Sequence, residues 1–221
     1  MSGLPGEAPT LPPTDCPLCP RLAEYRQTNQ AAHDDWFNGP VPSFGSLDAH
    51  LLIVGLAPGV RGANRTGRPF TGDYAGDLLY RTLLHFGMAR GRYGADPGDG
   101  MTLVDCRVTN AVRCVPPGNL PTPGEITTCN RFLEAEIAAM PRLRGLLALG
   151  GTAHNAVLRA HDLRPARVKF RHGAMHDLPG NRVVADSYHV SRLNTNTGRL
   201  TEAMFHAVVH ELLAHLGQNG A

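Results

Sequence analysis

Five cysteines are the residues of this 221-residue chain whose spacing first suggests chemistry. Cys16 and Cys19 are separated by two residues, a gap that lets two thiolates bind one metal. Cys114 and Cys129 bracket a proline-rich loop and would complete a set of four sulfurs, whereas Cys106 is expected to pack as a small hydrophobe. The odd number of cysteines argues against a disulfide framework. We therefore expect a metal site, and four thiolates suit either structural zinc or an iron–sulfur cluster.

A glycine-rich stretch, GLAPGVRGANRTGRPFTGD, runs from Gly55 to Asp73 behind the apolar run HLLIV. Its segment GANRTGRP nearly matches a phosphate-binding P-loop, which requires Lys and then Ser or Thr after the second glycine. Arg68 and Pro69 occupy those two places. Because proline offers neither an N–H donor nor a hydroxyl for magnesium, the stretch is weak evidence for a nucleotide and is expected to bind another ligand.

Four side chains suited to binding and hydrolysis lie at or just beyond the ends of apolar runs. Phe70 and Asp73 lie in the glycine-rich stretch, Asn110 ends the run DCRVTN, and His189 follows NRVVADSY. An asparagine side chain presents a donor beside an acceptor, which is the pairing needed to read an imide or amide edge of a base. An aromatic face, an amide, a carboxylate and an imidazole on one rim predict a pocket for a flat heterocycle with hydrolytic residues around it.

The elements that would position these residues are strands alternating with helices. Short apolar runs predict strands within residues 50–58, 105–114, 143–151 and 181–189. Helical patterns cover residues 76–87, 130–140 (capped by Thr127 or Thr128), 152–161 and 200–217. This alternation predicts a parallel sheet with helices on both faces, and in such sheets ligands bind beyond the carboxyl ends of the strands.

Composition predicts one domain over residues 1–221, with the proline-rich residues 1–15 poorly ordered. No apolar run has the length of a membrane span and the start lacks a secretory signal, so we expect a cytoplasmic protein with no membrane partner. The net charge of +2 does not indicate a nucleic-acid partner by itself. Only Lys169 among the 21 basic residues is a lysine, and arginine suits bidentate phosphate contacts.

Taken together, three motifs resemble the uracil-DNA glycosylase superfamily, and most closely its iron–sulfur-containing family 5 type found in bacteria and archaea. The motifs are the glycine-rich stretch 55–73, NAVRCVPPGN at 110–119 with the cysteine set, and HVSRLNTNTG at 189–198. The resemblance implies a three-layer α/β/α sandwich around a four-stranded parallel sheet. It also implies a [4Fe–4S] cluster on Cys16, Cys19, Cys114 and Cys129.

The resemblance further implies a monomeric DNA-repair enzyme that flips uracil out of double-stranded DNA and hydrolyses its N-glycosidic bond, leaving an abasic site. Single-stranded DNA and other deaminated bases such as hypoxanthine are implied as further substrates. In this scheme Phe70 stacks on the base, Asn110 reads its imide edge, and His189 hydrogen-bonds the carbonyl next to the scissile nitrogen. Backbone groups of Gly55, Leu56 and Ala57 close the pocket.

Water activation and DNA binding complete the expected roles. Related families carry an acidic or amide residue in the first motif, where this chain reads Gly55-Leu56-Ala57-Pro58, and alanine cannot orient water. Asp73 is our prediction for that role and Asn119 the alternative, although Asp73 also suits the cap of a helix beginning near Gly76. The resemblance implies that the loop VSRLNTNTG at 190–198 enters the minor groove and holds the duplex open. The expected DNA contacts are Arg61, Arg65, Arg68, Ser191, Arg192 and Asn194.

Two other functions stay open from the sequence. One is a non-catalytic nucleic-acid-binding module stapled by a metal, which would not need Phe70, Asp73 and His189 at neighbouring strand ends. The other is a nucleotide hydrolase that uses the GANRTGRP segment, which magnesium-dependent nucleotide binding would support.

Overall fold

The computed structural model describes residues 11–218, so of residues 1–15, which are predicted to be poorly ordered, residues 1–10 lie outside the described residues. Its main sheet contains five strands in the order β4-β1-β5-β7-β6. The strands are β1 (Leu51–Gly55), β4 (Cys106–Asn110), β5 (Gly145–Leu149), β6 (Met175–Leu178) and β7 (Arg182–Ser187). The four predicted strands are parallel, as expected, and β6 adds an antiparallel edge strand that the sequence analysis did not predict. A separate two-stranded hairpin pairs β2 (Ala89–Arg90) with β3 (Thr102–Leu103).

Seven α-helices surround or flank the sheet in the described residues. They are α1 (Pro20–Ala32), α2 (Ala63–Thr66), α3 (Tyr74–His85), α4 (Pro123–Ala138), α5 (Gly151–Arg159), α6 (Arg192–Asn196) and α7 (Glu202–Gln218). Within the described part of the chain, no helix combines the length and the apolar character that crossing a membrane requires.

The core forms two layers because consecutive side chains of a strand point to opposite faces of the sheet. On β1, Leu51 and Ile53 face a cluster that contains buried residues of α3 and α7. Leu52 and Val54 face the opposite cluster, built with α4 and α5. The predicted three-layer α/β/α sandwich is therefore confirmed, with five strands in place of four.

The predicted cap of the helix after β4 was wrong by five or six residues. The cap is Thr122, whose side chain accepts from the Glu125 N–H while the Glu125 carboxylate accepts from the Thr122 N–H. Pro123 occupies the first turn, where its missing N–H costs nothing. Thr127 and Thr128 lie inside this helix, α4.

Strand register brings the predicted functional loops to one edge of the sheet. Gly55 at the end of β1 is the direct partner of Asn110 at the end of β4. Leu149 and Ser187 are likewise partners at the ends of β5 and β7. The segments that follow these four strands therefore begin side by side.

Candidate active site

Gly55, Phe70 and Asn110 form the centre of the site. A Cβ built on Gly55 would overlap both Phe70 Cζ and Asn110 Oδ1, so these two side chains lie directly over the glycine. Only a residue without a side chain allows this approach. Asn110 is buried, and its Oδ1 has no hydrogen-bond partner among the described residues. Because an unpaired buried acceptor is costly, this oxygen is suited to accept from a bound ligand.

Phe70 has a backbone conformation that is unusual for a bulky residue. Its φ is +52°, in the left-handed region. Its carbonyl oxygen accepts from the Tyr93 hydroxyl, and the carbonyl of the preceding Pro69 accepts from Tyr80. Gly76 lies so close to the Phe70 carbonyl that a Cβ would overlap it. The surrounding residues hold this strained conformation in place, as is common at functional sites.

His189 follows β7 and lies beside Phe70, with 6.0 Å between the two ring centroids. Burial lowers the pKa of its imidazole to about 4, because an imidazolium would lose its hydration there. No described residue forms a hydrogen bond with its ring. His189 is therefore neutral near pH 7 and has a ring N–H available to a ligand.

Asp73 caps helix α3 and also faces the glycine-rich stretch. Its Oδ1 accepts from the Ala75 N–H at 3.2 Å. Its Oδ2 lies so close to the stretch that a Cβ on Gly62 would overlap it, and a Cβ on Gly59 would lie 2.8 Å away. Burial raises the pKa of this carboxyl, and hydrogen bonds from the Ala75 and Gly76 N–H groups oppose that shift.

The remaining residues predicted at the base site differ in their surroundings. The carbonyl oxygens of Gly55 and Leu56 accept from the N–H groups of Ala111 and Val112, which ties the first motif to the end of β4. Ala57 packs beside the cysteine cluster. Asn119 is exposed, ends a short 3₁₀ turn and has a φ of +58°.

The predicted DNA-contacting arginines separate into two groups. Arg61 and Arg65 are exposed on the glycine-rich stretch. Arg68 is buried: its guanidinium forms a bidentate pair with Asp99 at 2.7 and 2.8 Å and lies 5.6 Å from the centre of the Tyr80 ring. A guanidinium in this position is not available to a phosphate, so we remove Arg68 from the expected DNA contacts.

The segment after His189 forms the short helix α6. Ser191 caps it by accepting from the Asn194 N–H, and Asn194 Nδ2 donates to the His189 carbonyl at 2.8 Å. Asn194 thus supports the backbone of the histidine, while Arg192 is exposed and lies 5.9 Å from the centre of the Tyr74 ring. Leu193 lies in the loop expected to enter the minor groove, although it was not named individually among the predicted contacts, and it is 72 % exposed. A leucine inside a polar run, SRLNTNTG, was the available signal.

The four cysteines of the predicted metal set line one apolar cavity. Cys16 and Cys19 precede α1, Cys114 follows β4, and Cys129 lies in α4. Burial, together with the neighbouring cysteines, raises the pKa of Cys19 to about 11. The Cys19 thiol therefore needs a cationic group nearby to become a thiolate.

Two donors point at these sulfurs. Arg26 Nη1 donates to Cys114 Sγ and the Arg113 N–H donates to Cys129 Sγ, each at 3.4 Å. Cys106 lies apart in the α3/α7 core, where its thiol donates to the Met88 carbonyl. As predicted, it packs as a small hydrophobe.

Comparison with known proteins identifies the family. The model of the "Uracil DNA glycosylase superfamily" matches residues 42–213. A "Type-5 uracil-DNA glycosylase" of Thermus thermophilus is 46% identical over 203 residues, which cover 90% of this chain and 92% of that protein. A protein of the same description from Mycobacterium leprae is 41% identical, covering 92% and 93% of the two chains. A "Type-4 uracil-DNA glycosylase" of Thermotoga maritima is 33% identical, covering 69% and 70%. The chain belongs to the uracil-DNA glycosylase superfamily.

Proposed function

We propose that this protein excises uracil from DNA by hydrolysing the N-glycosidic bond, leaving an abasic site. The observation that carries the proposal is the arrangement of Phe70, Asn110 and His189 around Gly55, at the edge where the parallel strands end. The relatives described as type-5 uracil-DNA glycosylases support it. The scissile bond is hidden in stacked DNA, so the nucleotide must be flipped into the pocket before reaction.

In the proposed complex the base stacks on Phe70 and pairs with Asn110. The unpartnered Asn110 Oδ1 accepts from the imide N–H of uracil, and the amide nitrogen donates to the adjacent carbonyl. Hypoxanthine presents the same N–H beside a carbonyl, whereas cytosine and adenine present an amine beside an unprotonated nitrogen. We therefore extend the substrate range to hypoxanthine. Alanine at position 57 also leaves more space than the acidic or amide residue of related families.

The proposed reaction passes through a sugar with oxocarbenium character, by analogy with glycoside hydrolysis. The negative charge that accumulates on the departing base then needs a fixed donor. We assign this role to His189, because its neutral ring has an N–H to donate and carries no net charge that must be desolvated.

Asp73 is our assignment for holding the attacking water, with Asn119 as the alternative. The oxygen of Asp73 that does not accept from the Ala75 N–H, Oδ2, faces Gly59 and Gly62. Its position on the loop that carries Phe70 places it near the base site. Asn119 is exposed, and its amide would orient water only by hydrogen bonding.

For DNA binding we assign phosphate contacts to Arg61, Arg65 and Arg192 and a polar contact to Ser191, all in the segments that follow β1 and β7. We add Leu193 as an apolar side chain that enters the space left by the flipped nucleotide, because its exposure on a capped helix is otherwise unfavourable. Such apolar wedges stabilise unstacked base steps.

The cysteine set suits a [4Fe–4S] cluster better than a single zinc ion. Tetrahedral zinc with bonds of about 2.3 Å to sulfur requires sulfurs about 3.8 Å apart. Among the described residues, the only group of three His, Cys, Asp or Glu ligand atoms within 4.8 Å of one another is His154, His176 and Asp186, so no three cysteine sulfurs are that close. The wider spacing and the apolar cavity fit a multi-iron cluster.

The cluster would cross-link separate segments of the chain through its bonds to the cysteine sulfurs. Its ligands come from the segment before α1, the loop after β4, and α4. The donors from Arg26 and from the Arg113 backbone would stabilise the sulfurs. Because Ala57 packs beside the cysteines, this cross-link would also support the first motif.

The deciding experiment is incubation of purified protein with a duplex that carries a single uracil, followed by alkali, which cleaves the strand at an abasic site. We expect cleavage at the uracil in the wild-type protein and a rate at least about tenfold lower in Asn110→Ala, since a buried partner is lost. Hypoxanthine duplexes test the extended range, with cytosine and adenine duplexes as matched controls. Absence of uracil-dependent cleavage would refute the proposal.

A further inference from the structure

A strongly basic segment lies outside every motif described so far. It comprises residues 164–172, RPARVKFRH, and we refer to it as the basic strap. No Asp or Glu occurs between residues 163 and 176. All four cations of the strap are exposed, and in the described part of the chain none of them forms an ion pair with a carboxylate. They are Arg164, Arg167, Lys169 and Arg171.

Burial alternates from Arg167 to His172, so that Val168, Phe170 and His172 face the protein while the cations between them face solvent. Val168 packs against the α4/α5 core. The Phe170 ring lies 5.9 Å from the ring of His154 and 6.1 Å from that of Tyr188. The His172 ring stacks on Tyr188 at 4.7 Å and nearly parallel. One side of the strap is therefore packed in place and the other presents a row of charge.

Hydrogen bonds fix the strap to the end of β7, immediately before His189. The fully buried Asp186 accepts from the Arg171 N–H through Oδ2 and from the Gly173 N–H through its carbonyl oxygen, at 3.1 and 2.8 Å. The other carboxylate oxygen, Oδ1, lies 2.7 Å from Nδ1 of His154, whose Nε2 donates to the Val168 carbonyl. The strap is thus tied at Val168 and Arg171 to the sheet edge that carries the base site.

We propose that the basic strap is a second DNA-contact surface, in which Arg167, Lys169 and Arg171 neutralise backbone phosphates of the duplex that holds the flipped nucleotide. This inference rests on the proposed function for the identity of its ligand. It extends the DNA interface from the glycine-rich stretch and α6 to the far side of His189.

Charge and position argue for DNA as the occupant. The row of cations lacks acidic partners and flanks Tyr188, over which the exposed Arg199 also lies at 4.7 Å. Positive charge therefore continues from the strap past Tyr188 towards α6. Because the inner side chains and hydrogen bonds already order the strap, binding would cost little conformational entropy.

The first test measures the salt dependence of binding to an undamaged duplex. Each phosphate contact contributes about 0.9 to the slope of log K against log salt. Removal of three contacts in Arg167→Ala/Lys169→Ala/Arg171→Ala should lower the slope by up to about 2.7. Between 50 and 200 mM salt, this variant should then lose about 40-fold less affinity than the wild type.

The matched control is a variant that loses the same charge elsewhere. Arg131, Arg142 and Arg159 are exposed and lie in none of the loops that follow the parallel strands. Their triple alanine variant should keep the wild-type slope. A slope unchanged in the strap variant, or lowered equally in the control, would overturn the inference.

A second test uses the composition of the chain. Lys169 is the only lysine, so an amine-reactive acetylating reagent modifies one side chain besides the chain's α-amino group. Mass spectrometry should show that an abasic duplex protects Lys169 by at least about fivefold while the α-amino group reacts as before. Equal modification with and without DNA would overturn the inference.

Uracil excision at saturating enzyme separates the two proposals. The strap variant should excise uracil at the wild-type rate once bound, because the strap touches none of the residues assigned to the chemistry. If the wild-type protein excises uracil, but the strap variant keeps the wild-type salt slope and DNA does not protect Lys169, only the strap proposal is refuted. Absence of excision by the wild-type protein would refute the proposed function, whatever the binding result.

Discussion

Gly55 is the position where one added carbon tests the base pocket most directly. It ends β1 with a backbone conformation that alanine can adopt, since its φ does not lie in the left-handed region. A Cβ there would overlap Phe70 Cζ and Asn110 Oδ1 and lie 2.7 Å from Phe70 Cε2. Gly55→Ala should therefore displace both side chains that we assign to the base.

The expected size of this effect follows from three contributions. Overpacking of this kind destabilises a protein by about 1–3 kcal/mol. Loss of stacking on Phe70 weakens base capture by about 1–3 kcal/mol. Loss of the buried partner offered by Asn110 costs about 1–3 kcal/mol more. The low ends of the last two contributions sum to about 2 kcal/mol, which corresponds to roughly 30-fold slower excision.

The assay is single-turnover release of uracil, read with the melting temperature and the Kd for abasic duplex. Gly55→Ala should slow release at least about 30-fold at a temperature where it remains folded, and it should bind abasic DNA nearly as well as the wild type. Gly124→Ala is the matched control, because a Cβ on Gly124 has its nearest neighbour 4.0 Å away. Wild-type excision and melting temperature in Gly55→Ala would refute the arrangement of Phe70 and Asn110 over this residue.

Four further predictions test other parts of the molecule. Because the folded pKa of His189 is about 4 and its unfolded value about 6.5, stability should fall as the pH drops from 6.5 towards 4, and His189→Gln should reduce that fall. The same variant should release uracil about 10²–10³-fold more slowly at pH 7, and near-wild-type release would contradict the donor role. Asp73→Asn should slow uracil release with little change in melting temperature, whereas Asp73→Ala should also lose about 1 kcal/mol of stability because the helix cap is lost. Full activity in Asp73→Asn would mean that another residue holds the attacking water. Cys114→Ser should lower the iron content of anaerobically purified protein and Cys106→Ser should not; stoichiometric zinc in the wild type would refute the cluster. Leu193→Ala should weaken binding to uracil-containing duplex more than binding to a free uracil-containing single strand, and an equal effect on both would contradict a wedge in the duplex.

Two of the parallel strands, β1 and β5, could be predicted because their residues are apolar on both faces. β1 reads LLIVG and is buried at every position, and β5 reads GLLAL with the same pattern. Such runs are typical of strands covered by helices on both sides. Once they are placed, topology alone brings the following loops to one edge, so the neighbourhood of Phe70, Asn110 and His189 was predictable without a structure.

The edge strand β6 and the helix α1 could not be predicted on the same basis. β6 reads MHDL, with exposed side chains at Met175 and Asp177, and it pairs with β7 on one side alone. α1 buries Leu22, Arg26 and Asn29, two of them polar, because it packs over the cysteines and not against the sheet. Neither element carries the apolar periodicity on which the sequence analysis depends.

Whether each arginine is exposed or buried depends on its contacts with residues that are distant in the sequence. Arg65 and Arg68 are three residues apart in the glycine-rich stretch, yet the first is exposed and the second is buried against Asp99, Tyr80 and Tyr93. Asp99 lies 31 residues further along the chain, in the loop of the β2–β3 hairpin. Residue type therefore indicated a phosphate contact at both positions, and only the tertiary fold separates them.

The contacts of Asp73 are compatible with both roles that the sequence suggests for it, helix capping and water activation. Helix capping and water activation were treated as competing roles for one carboxylate, since each is a common use of aspartate. In the folded chain, Oδ1 binds the N–H of Ala75 while Oδ2 faces Gly59 and Gly62. The cap fixes the orientation of the carboxylate, and burial raises its pKa so that it is a stronger base than an exposed aspartate. The cap is thus the means by which the loop would aim the second oxygen at water, and the two roles support each other.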